Sequence, residues 1–172
     1  SSKGYCLFLS AKNVSKDGFK FNNNKFISKN KDLILGKGKL KEKDIVITTR
    51  GTVGNIAYFD SNIPFNNIRI NSGMAIIRNN NKDLNNEFLF NIFSSNIVKR
   101  QIRKFTFGSA QPQLTIDIIK SLKILIPEIE EQIKINKNLE KISKLININF
   151  IKYKKIQYLK KSIQEKFFTE VN

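Results

Sequence analysis

The chain has 172 residues, a net charge of +17 and a pI near 10.0, with 31 Lys and Arg against 14 Asp and Glu. It has no histidine and one cysteine, which excludes His-based acid–base catalysis, Ser-His triads, His-ligated metal sites and a disulfide framework. No run approaches the ~18 apolar residues of a membrane span, and the first ten residues lack the charged and cleavage regions of a secretory signal, so a reducing cytoplasm is the expected compartment.

Tyr5–Ser10 is apolar enough for a first strand, with Cys6 as a buried thiol inside it. Val14–Ile27 carries Asp17-Gly18 between short β-prone pieces, which predicts a hairpin. Leu33–Leu35 is apolar and runs into Gly36-Lys37-Gly38-Lys39. The charged turn Leu40–Asp44 feeds Ile45–Thr49, β-branched throughout and expected as a buried strand. Arg50–Gly54 is a sharp loop, and Asn55–Phe59 resumes as strand. Asp60–Pro64 turns, Phe65-Asn66-Asn67 is a polar loop, and Asn71–Arg78 is expected as one strand. Neither Gly36-x-Gly38 nor Gly51-x-x-Gly54 has the Gly-Lys-Ser/Thr ending and following helix of a phosphate loop, so both read as turns.

After Asn79–Asn81, Asp83 or Asn85 is placed to cap a helix. Phe88, Leu89, Ile92, Phe93, Ile97 and Ile102 keep helical spacing, giving two pieces over Leu84–Ser94 and Asn96–Lys104. Phe105–Phe107 is expected as a short strand and Gly108–Gln113 as a loop. A short helix over Ile116–Lys120 is capped by Thr115, and Leu122–Ile126 is expected as a last strand.

From Glu128 to about Phe168 there is no Gly and no Pro, and the opening turn is acidic, which suits the positive end of a helix dipole. Leu139, Ile142, Ile146, Asn149, Tyr153, Ile156, Lys160, Ile163 and Phe167 recur at alternating four and three; all but Asn149 and Lys160 are apolar, so the seam fits a heptad. A helix of about 40 residues spans roughly 60 Å, about twice the width of a small domain, so its far part is expected to meet a second chain or subunit. The expected fold is α+β: a mixed β-rich domain over residues 1–127, then one long C-terminal α-helix over 128–172 that pairs as a coiled coil.

From Glu128 onward ten Lys oppose six Glu, which leaves +13 of the +17 ahead of it. Such a field attracts polyanions, nucleic acid first. Compositional bias explains Lys over Arg, but it should raise Glu alongside Lys, and Glu is scarce. Carboxylates are sparse, no two are placed for nuclease metal binding, and the glycine-rich cofactor loop and Pro-Pro-aromatic motif of an adenine methyltransferase are absent. The chain therefore reads as non-catalytic, a part that chooses a site. Thr49 and Arg50 stand at a strand end; Asn66, Asn67 and Arg69 form a second polar cluster; Arg103, Lys104, Ser109, Gln111 and Gln113 form a third. Arg pairs bidentately with guanine, and Asn or Gln with adenine. Lys37 and Lys39 suit phosphates better than bases. Arg50 is equally placed for a structural role, bonding carbonyls across its own loop.

Several segments in order carry a family resemblance: Leu40-x-x-x-Asp44-Ile-Val-Ile-Thr-Thr-Arg50-Gly51-Thr-Val-Gly54, Ile70-Asn-Ser-Gly73-Met-Ala-Ile-Ile-Arg78, Gly108-Ser-Ala-Gln111-Pro-Gln-Leu114, Leu122-x-Ile-x-Ile-Pro127, and Glu131-Gln132-x-x-Ile135. The set resembles one target-recognition domain, with its adjoining helix, of the DNA-specificity subunit of type I restriction–modification enzymes. The resemblance implies a domain that grips one half of a split double-stranded DNA site, and a helical spacer between half-sites. It also implies partners: methyltransferase (M) subunits using S-adenosylmethionine, and a motor–nuclease (R) subunit using ATP and Mg²⁺. Such subunits carry two recognition domains and two helical regions, whereas this sequence has one of each. The expectation is either a fragment of a longer subunit or a half-subunit that forms a homodimer through the helix and reads an interrupted palindrome. The rival readings are a coiled-coil adaptor, anti-restriction or assembly protein that binds nucleic acid without sequence preference, and a self-contained enzyme, which the absent motifs disfavour.

Overall fold

The structure is a computed structural model and describes residues 4–106, 108 and 110–169. The first sheet centres on Cys6–Leu9 (β1), antiparallel to Phe26–Ile27 (β4) and parallel to Ile68–Ile70 (β7). Val14–Ser15 (β2) and Gly18–Phe19 (β3) form the hairpin expected from Asp17-Gly18. In the third sheet Ile45–Thr48 (β5) lies between Ile56–Tyr58 (β6) and Met74–Ile77 (β8), antiparallel to both. The helices are Lys29–Ile34 (α1), Asn86–Ser94 (α2), Asn96–Thr106 (α3), Ile116–Ser121 (α4) and Ile129–Thr169 (α5). The architecture is α+β, as expected.

Every residue of β5 is buried because both faces of its sheet are covered. Successive side chains of a strand point to opposite faces. Val46 packs with Leu7, Leu9, Ile68 and Ile70 in one core, while Ile45 and Ile47 pack with Leu89, Phe93, Val98 and Ile102 in the other. The flanking strands split likewise: Ala57 and Met74 face the first core, Ile56 and Ala75 the second. The third sheet is therefore the partition between a β-lined core and a helix-lined core.

The strand expected over Asn71–Arg78 is present as β8, Met74–Ile77, but its first three residues form a turn. The Asn71 carboxamide oxygen accepts the Gly73 N–H (3.0 Å), and this Asx turn carries the chain from β7 in one sheet to β8 in another. Leu122–Ile126 joins no sheet; Lys123 is paired instead with a side chain, its N–H to Gln101 Oε1 (2.9 Å) and its carbonyl to Gln101 Nε2 (2.8 Å). That amide takes the place of a neighbouring strand. Phe105 and Thr106 end α3 rather than starting a strand, and Phe107 lies outside the described residues. Helix α1 has no counterpart among the sequence expectations, because six residues are too few to display a period; Ser28 caps it, accepting from the Lys31 N–H (3.3 Å).

α1 delivers a buried carboxylate. Asp32 accepts from Arg69 Nε (2.7 Å) and Lys39 Nζ (2.7 Å), while Arg69 also donates to the Asp32 carbonyl (2.7 Å) and the Lys37 carbonyl. Residues 38–40 lie antiparallel to β7, with the Leu40 N–H on the Ile68 carbonyl and the Ile70 N–H on the Gly38 carbonyl. Gly38 has a positive φ of 87°, and a Cβ there would sit 2.9 Å from the Ile70 carbonyl oxygen, so no other residue fits this approach. Asp44 is fully paired at the start of β5, with Arg78 Nε (2.7 Å) and NH2 (2.6 Å) on its two oxygens.

Two compact units divide the chain, residues 1–132 and 133–172. Within the first, the wholly buried Gln132 accepts the Asn85 N–H (2.8 Å) and donates to the Asp83 (2.9 Å) and Pro127 (2.8 Å) carbonyls. Asn85 in turn caps α2, accepting from Glu87 and Phe88. The described residues of the second unit are helix, with one-turn ion pairs Glu140–Lys144 (2.6 Å) and Lys161–Glu165 (3.6 Å). Its seam residues Leu139, Ile142, Ile146, Tyr153, Ile156, Ile163 and Phe167 are all exposed.

Asp32→Ala leaves Arg69 as an uncompensated buried cation and is expected to cost about 3–5 kcal/mol in urea unfolding. Hydrogen bonds from Lys39 and Arg69 lower the Asp32 pKa from 3.8 to about 2. With its folded pKa depressed, this carboxylate's contribution is complete above its unfolded value and lost as pH falls towards 2. Acid titration of the wild type against Asp32→Ala should therefore show the difference in stability shrinking below about pH 4.

Candidate nucleic-acid interface

Three segments converge where β5 ends. The N–H groups of Thr49 (2.8 Å) and Arg50 (3.3 Å) both donate to the Gly73 carbonyl, and the Thr49 carbonyl accepts the Leu114 N–H (2.9 Å). The Asn71–Gly73 turn and the Gln113-Leu114 segment are thus brought to the backbone that carries Arg50. The loop beyond is closed by Thr48, whose buried hydroxyl donates to the Thr52 carbonyl and accepts the Asn55 N–H (2.9 Å). Thr48 N–H to Asn55 carbonyl and Gly54 N–H to Thr48 carbonyl, both 2.9 Å, complete the closure. Gly51 and Gly54 supply the positive φ values, 73° and 84°, that so tight a return needs. Asn55 Nδ2 ties the loop to the hairpin by donating to the Val14 carbonyl (3.0 Å).

The result is a rigid backbone with a free tip. Arg50 is exposed and, among the described residues, has no ion pair or side-chain hydrogen bond. Its five donors therefore face solvent. Thr49 is buried and serves this edge through its backbone alone. Gln113 and Gln111 are exposed beside the anchored Leu114, while Ser109 lies outside the described residues. Lys37 lines a groove of about 660 Å³ shared with Asn71 and Ser72, on the Gly73 side of the edge. Arg103 lines a second cavity, of about 700 Å³, whose other side is Val53-Gly54-Asn55 of the Arg50 loop. Lys104 is exposed on α3.

Other expected contacts are placed elsewhere. Arg69 is buried with its guanidinium on Asp32 and backbone carbonyls, so it serves the fold and is not presented at the surface as expected. Lys39 is likewise committed, its ammonium 2.7 Å from Asp32 and about 6.0 Å from the Tyr5 ring centre, rather than open to phosphate. Asn66 and Asn67 precede β7, which then runs its three residues to the Asn71 turn, so they stand at the opposite end of that strand from Arg50. Lys16 and Lys99, which line the same cavity as Arg103, were not singled out; isolated lysines in a lysine-rich chain carry no pattern that marks them.

Among the described residues no group of three or more His, Cys, Asp or Glu is arranged to hold a metal ion, and no helix is long and apolar enough to cross a membrane. Burial raises the pKa of the Cys6 thiol, so it stays protonated at neutral pH.

Residues 3–161 match the family model of the type I restriction modification DNA specificity domain. Among curated proteins, the putative type I restriction enzyme MjaX specificity subunit of Methanocaldococcus jannaschii is 31% identical over 128 residues, 74% of this chain and 28% of that protein. The type I restriction enzyme MjaVIII specificity subunit of the same organism is 29% identical over 86 residues, 50% of this chain and 20% of that protein. Among solved structures, the HsdS subunit from Thermoanaerobacter tengcongensis superposes with a TM-score of 0.64 at 20% identity, covering 83% of this chain and 36% of that one. A chain from a study of complex assembly and conformational transition of the type I R-M system gives 0.61 at 21% identity, with the same coverage. The chain thus spans about a quarter of the curated relatives and about a third of the solved ones.

Thr48→Val deletes the hydroxyl that closes the loop and leaves the Thr52 carbonyl and Asn55 N–H only their long 3.4 Å bond to each other, with an expected cost of about 1–3 kcal/mol. Hydrogen exchange at Asn55 should quicken in this variant and recover in Thr48→Ser.

Proposed function

Since the chain belongs to the type I restriction modification DNA specificity domain family, we propose that it reads a particular duplex sequence through the edge led by Arg50. The observation that carries this is an arginine without an internal partner, on a backbone locked by three converging segments. A guanidinium on such a backbone is free to pair bidentately with guanine O6 and N7 in the major groove. Gln113 and Gln111 stand beside it with the carboxamides that pair with adenine. Lys37 on one side and Arg103 and Lys104 on the other hold phosphates, which position the domain without reading sequence. Phosphate contacts of this kind release counterions, so affinity falls steeply with salt.

The exposed seam of α5 supports pairing with a second helix, from another copy of the chain or from another part of a longer specificity subunit. Either arrangement makes the helix a spacer between two half-sites. The chain would direct adenine methylation and cleavage performed by partner subunits, which hold S-adenosylmethionine, ATP and Mg²⁺.

Arg50→Ala should keep the fold and lose preference at one base pair, worth about 1–3 kcal/mol in competition between selected and substituted duplexes. Lys37→Ala should weaken all duplexes alike and reduce the salt slope by about 1. Equal binding to selected and scrambled duplexes by the wild type would overturn sequence reading in favour of a non-specific adaptor. If α5 pairs two copies, sedimentation should give twice the chain mass, and Ile146→Glu should return it to one.

A further inference from the structure

Between the β2–β3 hairpin, the loop after β5, and helices α2 and α3 lies the open cavity of about 700 Å³. That size falls among small-molecule sites, about 300–1,000 Å³. Its wall is apolar, from Val53, Phe90 and Ile102, and its lining includes three cations, Lys16, Lys99 and Arg103. None of the three is ion-paired among the described residues. Lys99 and Arg103 are one turn apart on α3, and Arg103 Nε donates to the Lys99 carbonyl (3.4 Å), which lays the guanidinium back toward Lys99. Asp17, the one acid of the lining, has its carboxylate 4.0 Å from the Lys20 ammonium. Opposite α3 stands Gly54, at a positive φ of 84° and packed close to Ile102.

A bare phosphate would satisfy the cations and leave the apolar wall wet. A neutral apolar ligand would cover the wall and leave the cations idle. The combination suits an anion joined to a flat, largely apolar body. We propose that this cavity holds one nucleotide, its phosphate among Lys16, Lys99 and Arg103 and its base against Val53 and Phe90. The nucleotide comes either from bound DNA, turned out of the base stack, or from the free pool; the first source rests on the DNA-reading function above.

The test titrates the full chain with dTMP, with thymidine and with inorganic phosphate, following the Gly54 and Val53 amide signals. The expected result is saturable dTMP binding at least about tenfold tighter than either fragment, weakened about tenfold by Lys99→Gln and by Ser94→Phe, which fills the cavity from the end of α2. Unchanged circular dichroism keeps loss of fold from imitating loss of binding. A selected duplex carrying 2-aminopurine at successive positions then separates the sources. A fluorescence rise at one position, absent in Ser94→Phe, assigns the nucleotide to DNA; dTMP binding without any rise assigns it to the free pool. Binding of dTMP no tighter than phosphate, or insensitive to both substitutions, overturns the proposal. If duplex selection persists in that case, the DNA-reading function survives alone; if selection is absent while dTMP saturates, the cavity survives alone.

Discussion

A strand buried on both faces cannot slip. Moving β5 by one residue would exchange Val46 with Ile45 or Ile47 and turn each toward the wrong core, so its register is fixed from two sides at once. That constraint determines where the strand ends, and hence where Arg50 leaves the sheet. The hydrogen bonds of Thr49 and Arg50 to Gly73 and of Leu114 to Thr49 extend the same order one step past the strand, into the segment that meets solvent. Precision at the tip is inherited from packing about two residues behind it. A recognition surface made of loops needs this, because base readout tolerates little error in side-chain aim.

Charge is sorted by the same architecture. Of the five arginines, Arg69 and Arg78 are drawn onto buried aspartates, and Lys39 joins Arg69 on Asp32. The first unit spends two acids on three cations internally, and nearly all of its positive excess remains outside. Hydrogen bonding to Asp44 raises the pKa of Arg78, so this guanidinium keeps its charge. Lys16, Arg50, Lys99 and Arg103 make no ion pair among the described residues, which leaves them open to a polyanion. Such a surface favours fast, salt-sensitive encounter with polyanions.

Much of this was legible in the residues. β-branched Ile45–Thr48, the Asp17-Gly18 turn, the Asn85 and Thr115 caps and the unbroken helix after Pro127 each carry a local signal strong enough to survive tertiary context. The strand expected over Asn71–Arg78 starts three residues late, because Asn71-Ser72-Gly73 is spent on the turn between two sheets, which only sheet membership reveals. Leu122–Ile126 has a strand's composition but meets a glutamine side chain where a strand would be, a fact set by Gln101 more than twenty positions earlier. Arg50 stood out by its place at a strand end. Arg69 stood out by its place in a polar cluster with Asn66 and Asn67, yet it points inward; the reason is Asp32, on a helix too short to announce itself.

The amide of Gln132 has a consequence for how the molecule assembles. Its bonds to Asn85 and Asp83 join positions 47 and 49 apart in the chain, so they close a loop of about fifty residues that contains α2, α3 and α4. Closure on that scale is entropically costly and is rewarded only once both ends are in place. The helix-lined lobe should therefore behave as one cooperative unit whose clasp forms late. A ribosome that has not yet delivered residue 132 exposes a nascent chain whose α2 cap lacks its second anchor.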